Sequence, residues 1–222
     1  MIKALITDFD GTLVDTYEAN LYAYQEAFSQ VGLTLSAQQY RECFGYRFER
    51  FMQEVGVTDS KIASQIKELK KNVYPLFFTY FRPNVALITL LRSMRTMGCK
   101  VAIASTARKE NLLNAINHLG LADDFDLIYA GVDVEQGKPS PEIYIKSMAV
   151  LGVSPSETLI FEDSELGIQA AKTSGAHYMI VSPKQFENLY SFTFAGVSVF
   201  MFGINGLLEF KSGTQEGILK TL

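Results

Sequence analysis

The amino-acid sequence predicts an α/β fold, a Rossmann-like parallel sheet core with a helical cap domain inserted after the first strand. From about residue 83 onward, short apolar runs alternate with helix-length segments, and this alternation is typical of right-handed βαβ units. Between the first apolar run and residue 82, only helical patterns occur. We therefore assign residues 1–15 and 83–222 to the α/β core and residues 16–82 to the cap.

The first strand is predicted in KALITDF, which is short and apolar. The cap then begins with EANLYAYQEAFSQVG, in which Leu21, Tyr24 and Phe28 recur at helical spacing and Gly32 is a stop signal. Helices continue through QQYRECFGYRFERFMQEVG and SKIASQIKELKKNVYPLFFTYF.

The core sequence after Pro83 resolves into alternating elements. Helices are predicted in VALITLLRSMRTMG, KENLLNAINHLG, SPEIYIKSMAVLG and SELGIQAAKTSG. Strands are predicted in CKVAIAS, FDLIYAG, TLIFED, HYMIVS and GVSVFMFG. Strands and helices of these lengths predict a parallel sheet covered by helices.

The composition limits the classes of protein to which the chain can belong. A chain of 222 residues with 48% hydrophobic content can bury a sizeable core, and its net charge of -4 argues against nucleic acid or an anionic membrane as the main partner. Two cysteines, Cys43 and Cys99, are too few for a disulfide framework or a zinc site. Neither a secretory signal nor a membrane-length apolar run is visible. We expect a cytoplasmic protein that is a monomer or a weak homodimer.

Polar side chains follow several of the predicted strands. They are Asp8, Asp10, Ser105, Thr106, Glu162 and Asp163, and Lys138 lies between a strand and the next helix. Ligands of open parallel sheets bind at the carboxyl ends of the strands, so we expect these groups to converge. Clustered carboxylates are costly to keep ionised, and a cation with oxygen ligands, such as Mg²⁺, relieves that cost. Backbone N–H groups around Gly11 and Thr106 would complete a site for an anion.

The motifs resemble those of the haloacid dehalogenase superfamily. They are Asp8-Phe9-Asp10-Gly11-Thr12, Ser105 after a strand, Lys138 before Pro139, and Glu162-Asp163, in that order. The likeness spans nearly the whole chain, and the helical segment after the first motif resembles the superfamily's mobile cap. The segments FEDSELGIQAAKTSGA and GKPSPEIY most resemble the β-phosphoglucomutase-like branch of phosphatases and mutases.

The resemblance implies roles for the two aspartates of the first motif. Asp8 would be the nucleophile that becomes an aspartyl-phosphate, and Asp10 would be the general acid and then the general base. Relatives that remove halide from carbon lack an acid at the second position, because no oxygen leaving group needs a proton. The presence of Asp10 therefore favours phosphoryl transfer.

The resemblance also implies a magnesium site and a phosphate site. Mg²⁺ would be bound by the Asp8 carboxylate, the Asp10 backbone carbonyl, Asp163 and Glu162. Lys138 would stabilise the transferring phosphoryl group, and Ser105 would hold a phosphate oxygen. The simpler alternatives are helix capping by the residues that follow the strands, and a solvated loop position for Lys138.

The cap contributes weaker candidates. We expect Arg47, Arg50 and Lys71 to reach the substrate when the cap closes, and solvated helix charges are the alternative. Arg47 and Lys71 lie near positions where the mutase branch binds phosphate. Asn20 stands where that branch has a histidine that favours sugar transfer over water attack. The absence of that histidine favours hydrolysis over sugar transfer.

Together these features predict a Mg²⁺-dependent phosphatase that acts on a small phosphorylated metabolite, with a sugar phosphate as the leading class. One alternative is a hexose-phosphate mutase that uses the same aspartyl-phosphate. The other is a non-catalytic phosphate-binding regulatory module, which would have no use for a nucleophile beside a proton-transfer group.

Overall fold

The structure of the protein is a computed structural model. It describes residues 1–181 with their side chains and the backbone of residues 190–194, 197–204 and 207–212. Part of the segment HYMIVS and the end of the predicted core therefore lie outside the described residues.

The predicted strands and helices occur in the predicted order, and the structure adds further strands. The strands are β1 Ala4–Thr7, β2 Val14–Asp15, β3 Arg82–Pro83, β4 Lys100–Ala104, β5 Leu127–Tyr129, β6 Thr158–Glu162, β7 His177–Ile180, β8 Tyr190–Phe194, β9 Val197–Ile204 and β10 Leu207–Ser212. The helices are α1 Tyr17–Gln30, α2 Ala37–Cys43, α3 Phe48–Glu54, α4 Ser60–Val73, α5 Val85–Thr96, α6 Lys109–His118, α7 Glu142–Leu151 and α8 Glu165–Thr173. A 3-10 segment, Tyr74–Tyr80, continues α4.

The main sheet has the strand order β10-β9-β8-β7-β6-β1-β4-β5. The strands from β7 to β5 in that order pair in parallel, which confirms the predicted α/β fold. The predicted strand GVSVFMFG overlaps β9. However, β8, β9 and β10 pair antiparallel at one edge, so the parallel part ends at β7.

Strand β1 lies inside the sheet between β4 and β6, and all four of its residues are buried. Leu5 pairs with Val101 on one side and with Leu159 on the other. Because all three strands run in the same direction, the residues that follow them meet at one edge of the sheet. The fold therefore brings the first motif to the middle of that edge.

Residues 17–80 form α1 to α4 and the 3-10 segment, which we call the helical insertion. Apolar side chains of the insertion, between Leu21 and Ile66, form a cluster that is separate from the apolar clusters of the α/β core. The sequence did not predict the antiparallel pair β2–β3, which joins the two ends of the insertion. Asn84 reinforces this junction, because its side-chain amide donates to the Thr12 carbonyl across 3.2 Å.

No helix in the described part of the chain has both the length and the apolarity needed to cross a bilayer.

Candidate active site

The ammonium group of Lys138 lies between two buried carboxylates. Its Nζ donates to Asp8 Oδ1 across 2.5 Å, to the Ala104 carbonyl across 3.1 Å, and to Glu162 Oε1. Burial alone would lower the pKa of Lys138, but the charges of Asp8 and Glu162 outweigh burial and hold that pKa well above its ordinary value. Lys138 is therefore a permanent positive charge next to the predicted nucleophile.

The carboxylates around Lys138 carry more negative charge than one lysine can balance. Oxygen atoms of Asp8, Glu162 and Asp163 lie within 4.8 Å of one another. Burial, reinforced by the charges of Glu162 and Asp163, raises the pKa of Asp8 well above its ordinary value although Lys138 opposes the change. Burial and the Glu162 charge raise the pKa of Asp163 to about 7. This excess of buried negative charge on oxygen donors fits a hard divalent cation such as Mg²⁺.

Gly11 and Thr12 hold Asp163 in place. Thr12 Oγ1 donates to Asp163 Oδ1 across 2.8 Å. Gly11 has a φ of 90°, and a Cβ at this position would lie 2.2 Å from Asp163 Oδ2. The turn after β1 therefore needs glycine both for its backbone conformation and for the approach of Asp163.

Asp10 faces the helical insertion. Thr16 Oγ1 donates to Asp10 Oδ1 across 2.5 Å, and Asn20 Nδ2 donates to Thr16 Oγ1 across 3.1 Å. Removal from bulk water raises the pKa of the Asp10 carboxyl, and the Thr16 hydrogen bond and the nearby charge of Lys70 oppose this change. A raised pKa suits a group that must carry a proton near neutral pH.

Lys70 on α4 is a buried cation that was not predicted from the sequence, which was taken to indicate its neighbour Lys71 as the site residue. Its Nζ donates to Asn20 Oδ1 across 2.8 Å and lies 3.6 Å from the centre of the Tyr74 ring. Burial lowers the pKa of Lys70 to about 8, and the charge of Asp10 opposes the change. Ile66, Lys70 and Tyr74 are spaced four residues apart and are all buried, a periodic signal that would have separated Lys70 from Lys71.

The phosphate-binding candidates at the end of β4 differ in exposure. Ser105 is buried, and its Oγ accepts a hydrogen bond from the Ala107 N–H across 3.1 Å. Thr106 is exposed, and its carbonyl packs against Gly131, where a Cβ would lie 2.7 Å from that oxygen. Ser105 directly follows Ala104, whose carbonyl accepts from Lys138 Nζ, so the backbone of Ser105 begins beside the Lys138 site.

The structure separates the three charged candidates of the insertion. Arg47 reaches the loop that carries Lys138, because a Cβ at Gly137 would lie 2.5 Å from its Nη2. Arg50 instead lies over the Tyr46 ring, 3.9 Å from the ring centre. The Nζ of Lys71 pairs with Glu110 Oε2 across 2.7 Å. Of the three, the structure brings only Arg47 toward Lys138.

Known proteins identify the family. The family model described as haloacid dehalogenase-like hydrolase matches residues 5–181, and the chain belongs to this family. It is 32% identical to the putative phosphatase YhcW of Bacillus subtilis (strain 168), over 83% of this chain and 85% of that protein. It is 29% identical to a phosphorylated carbohydrates phosphatase of Thermotoga maritima, over 78% and 82% of the two chains. The crystal structure of CbbY from Rhodobacter sphaeroides in complex with phosphate has a TM-score of 0.72 at 27% identity, covering 82% of this chain and 87% of that chain.

Proposed function

We propose that the protein is a Mg²⁺-dependent phosphatase that hydrolyses a small phosphorylated metabolite, with a sugar phosphate as the leading substrate class. The observation that carries this proposal is the contact between Lys138 and Asp8 Oδ1, with Asp10 two residues further along the same turn. A nucleophile, a fixed positive charge and a proton-transfer group then share one small site. The named phosphatases among the relatives support a phosphoric monoester hydrolase.

The proposed reaction has two steps. A carboxylate oxygen of Asp8 attacks the substrate phosphorus, the bond from phosphorus to the ester oxygen breaks, and Asp10 gives its proton to the leaving oxygen. Water then attacks the aspartyl-phosphate while Asp10 takes a proton from it, and phosphate leaves with Asp8 restored. Lys138 stabilises the negative charge on the phosphoryl oxygens in both steps.

The residues that would hold Mg²⁺ are Asp8, Asp163 and Glu162 through their carboxylates and Asp10 through its backbone carbonyl. When bound, the ion would neutralise charge on the phosphate and let a nucleophilic carboxylate approach it. Ser105, with the backbone N–H groups near Gly11 and Thr106, would bind the remaining phosphate oxygens.

The helical insertion would act as the cap over this site, as part of a cap domain with bounds at residues 16–82. Three of its side chains support that role, because Asn20 and Lys70 lie beside Asp10 and Arg47 lies beside the Lys138 loop. Arg47 is the cap residue that we propose contacts the substrate. The free thiols of Cys43 and Cys99 support a reducing, cytoplasmic location.

Asn20 supports hydrolysis over the mutase alternative. Its amide joins Lys70 to Thr16, and an amide does not take up or release a proton at neutral pH. A group that passes protons to a sugar hydroxyl is therefore missing from this position, and water is the simpler acceptor of the phosphoryl group.

A screen of phosphorylated metabolites, with release of inorganic phosphate as the readout, tests the proposal directly. We expect activity with Mg²⁺, none with EDTA, and none in a folded Asp8→Asn variant. Glucose 1-phosphate separates the two enzymes, because a mutase would yield glucose 6-phosphate instead of phosphate. Undiminished phosphate release by Asp8→Asn would exclude Asp8 as the nucleophile.

A further inference from the structure

Tyr24 lies on the face of α1 that begins at Asp10. Thr16, Asn20 and Tyr24 are spaced four residues apart, and residues at this spacing lie one above another along a helix. Thr16 Oγ1 donates to Asp10 Oδ1, and Asn20 Nδ2 donates to Thr16 Oγ1. Tyr24 is therefore the next side chain along this face after the two that connect α1 to Asp10.

The ring of Tyr24 is held by packing on several sides. Its centre lies 4.9 Å from that of Phe51 and 5.7 Å from that of Tyr40, and both of these rings are buried in the apolar cluster of the insertion. Lys70 Nζ lies 5.2 Å from the centre of the Tyr24 ring. These contacts use the ring, so the hydroxyl is the part of Tyr24 that is available for a polar contact.

The Tyr24 hydroxyl has no hydrogen-bond partner among the described residues, and it reaches solvent. It reaches solvent because no side-chain nitrogen or oxygen in that part of the chain is both buried and unpaired. Loss of bulk water, reinforced by the charges of Asp10 and Glu49, nevertheless raises the pKa of Tyr24, although the charge of Arg108 opposes the change. A hydroxyl that touches solvent deep among charged groups lines a cleft.

This cleft lies between the helical insertion and the core. Glu49 belongs to α3 of the insertion, whereas Asp10 and Arg108 belong to the core, and Arg108 Nη1 donates to Glu68 Oε1 of α4 across 3.1 Å. In the proposed reaction Asp10 gives its proton to the leaving oxygen. The carbon atoms attached to that oxygen must then occupy the cleft that Tyr24 lines.

We propose that the Tyr24 hydroxyl binds a hydroxyl group of the leaving group and thereby selects sugar and polyol phosphates over phosphate esters that carry no hydroxyl group. This inference rests on the proposed function and names a specificity-determining residue for it. A tyrosine hydroxyl both donates and accepts, and so does a sugar hydroxyl. A site built to bind a substrate hydroxyl discriminates against an analogue that lacks it, because the polar group of the site is then left without a partner.

The test is steady-state phosphate release by the full-length protein and two variants in the presence of Mg²⁺. The hydroxylated probes are glucose 1-phosphate, ribose 5-phosphate and glycerol 3-phosphate, and phenyl phosphate is the probe without a hydroxyl group. Tyr24→Phe should lower kcat/KM by about fivefold or more on the best hydroxylated probe, because a hydrogen bond to the substrate is lost. Its kcat and KM on phenyl phosphate should change by less than about twofold, since no such bond forms there.

Tyr22→Phe is the matched control. Tyr22 also lies on α1, but its ring packs on the 3-10 segment, where the ring centres of Phe77 and Tyr80 lie 6.2 and 4.6 Å away. The variant removes the same hydroxyl group from the same helix. Its kcat and KM should stay within about twofold of the wild-type values on every probe.

An unchanged kcat/KM in Tyr24→Phe, or an equal fall on both classes of probe, would overturn the inference. So would an equal loss on the hydroxylated probes in Tyr22→Phe, or a wild-type protein that hydrolyses phenyl phosphate and none of the hydroxylated probes. In each of these cases the wild-type protein still releases phosphate with Mg²⁺, so the phosphatase assignment stands. A wild-type protein that releases phosphate from none of the probes overturns both.

Discussion

Two buried lysines approach the aspartates of the first motif from different regions of the molecule. Lys138 comes from the core and lies between two carboxylates, whereas Lys70 comes from the helical insertion and contacts an amide and an aromatic ring. The pKa of Lys138 is held well above its ordinary value, whereas burial lowers the pKa of Lys70 to about 8. Burial of the same side chain thus gives a permanent charge in one region and a titratable group in the other, depending on its partners.

The largest expected effect in this comparison comes from Lys138→Met. The variant leaves Asp8 and Glu162 buried without their counter-charge, so we expect the metal-free protein to lose about 3–5 kcal/mol of unfolding free energy. The kcat for phosphate release should fall by about 100-fold or more, because charge stabilisation of the phosphoryl group is lost. Denaturant unfolding in EDTA and steady-state kinetics with Mg²⁺ measure the two effects. Unchanged stability would contradict the ion-pair geometry.

Lys70→Met should change stability in the opposite direction. At pH 7 the wild-type protein keeps a charged lysine in a buried site, and methionine of similar length removes that desolvation cost. We expect the unfolding free energy to rise by about 1–3 kcal/mol. The same denaturant experiment measures it, with Lys138→Met as the matched partner. A decrease as large as that of Lys138→Met would mean that the two lysines are equally well paired.

Arg47→Ala tests the contact between the insertion and the core. If Arg47 binds the substrate when it lies beside Gly137, the variant should raise KM about tenfold or more, since a hydrogen bond to a charged group is lost. Arg50→Ala is the matched control, because the Arg50 side chain is 61% exposed and directed to Tyr46 and Glu54. Its KM should change by less than about twofold. Equal KM changes in the two variants would remove the special role of Arg47.

The stability of the protein should also depend on pH through Lys70. Its pKa is about 8 in the folded protein and 10.5 in the unfolded chain, so the unfolded chain binds more protons between these pH values. The unfolding free energy contributed by this group should therefore rise with pH from about 8 to 10.5, by up to about 3 kcal/mol in total. The difference in unfolding free energy between wild-type and Lys70→Met protein, measured across this pH range, isolates the contribution of Lys70, because both proteins share the tyrosines that also titrate there. A difference that does not vary with pH would contradict the lowered pKa of Lys70.

The core of the fold was predictable from the sequence, and the reasons are local. Short apolar strands that end in polar residues identified β1, β4 and β6, and the parallel direction of these strands then brought Asp8, Ser105 and Glu162 to one edge. The antiparallel edge formed by β8 to β10 was not predicted, because strand direction depends on connections and not on residue pattern.

The insertion was predictable as helix but not in its contacts. Lys70 and Lys71 are adjacent and chemically identical. Helical periodicity places Lys70 on the buried face of α4, but it does not identify the partners, which are Asn20 for Lys70 and Glu110 for Lys71. The hydrogen bond from Tyr144 to Glu162 likewise joins α7 to β6 and has no local signal. The roles of the individual site residues and the domain boundaries stay predictions.

The central claim is that Asp8 carries the phosphoryl group during turnover. The most direct test mixes Asp10→Asn protein with Mg²⁺ and an aryl phosphate, and then quenches the reaction in acid. Peptide mass spectrometry locates the phosphoryl group in the quenched protein. The good leaving group needs no proton, whereas water attack does need a base, so the intermediate should accumulate. We predict a mass increase of one phosphoryl group on the peptide that contains Asp8. Phosphate release with the phosphoryl group found on a different residue, or on no residue, would contradict the account.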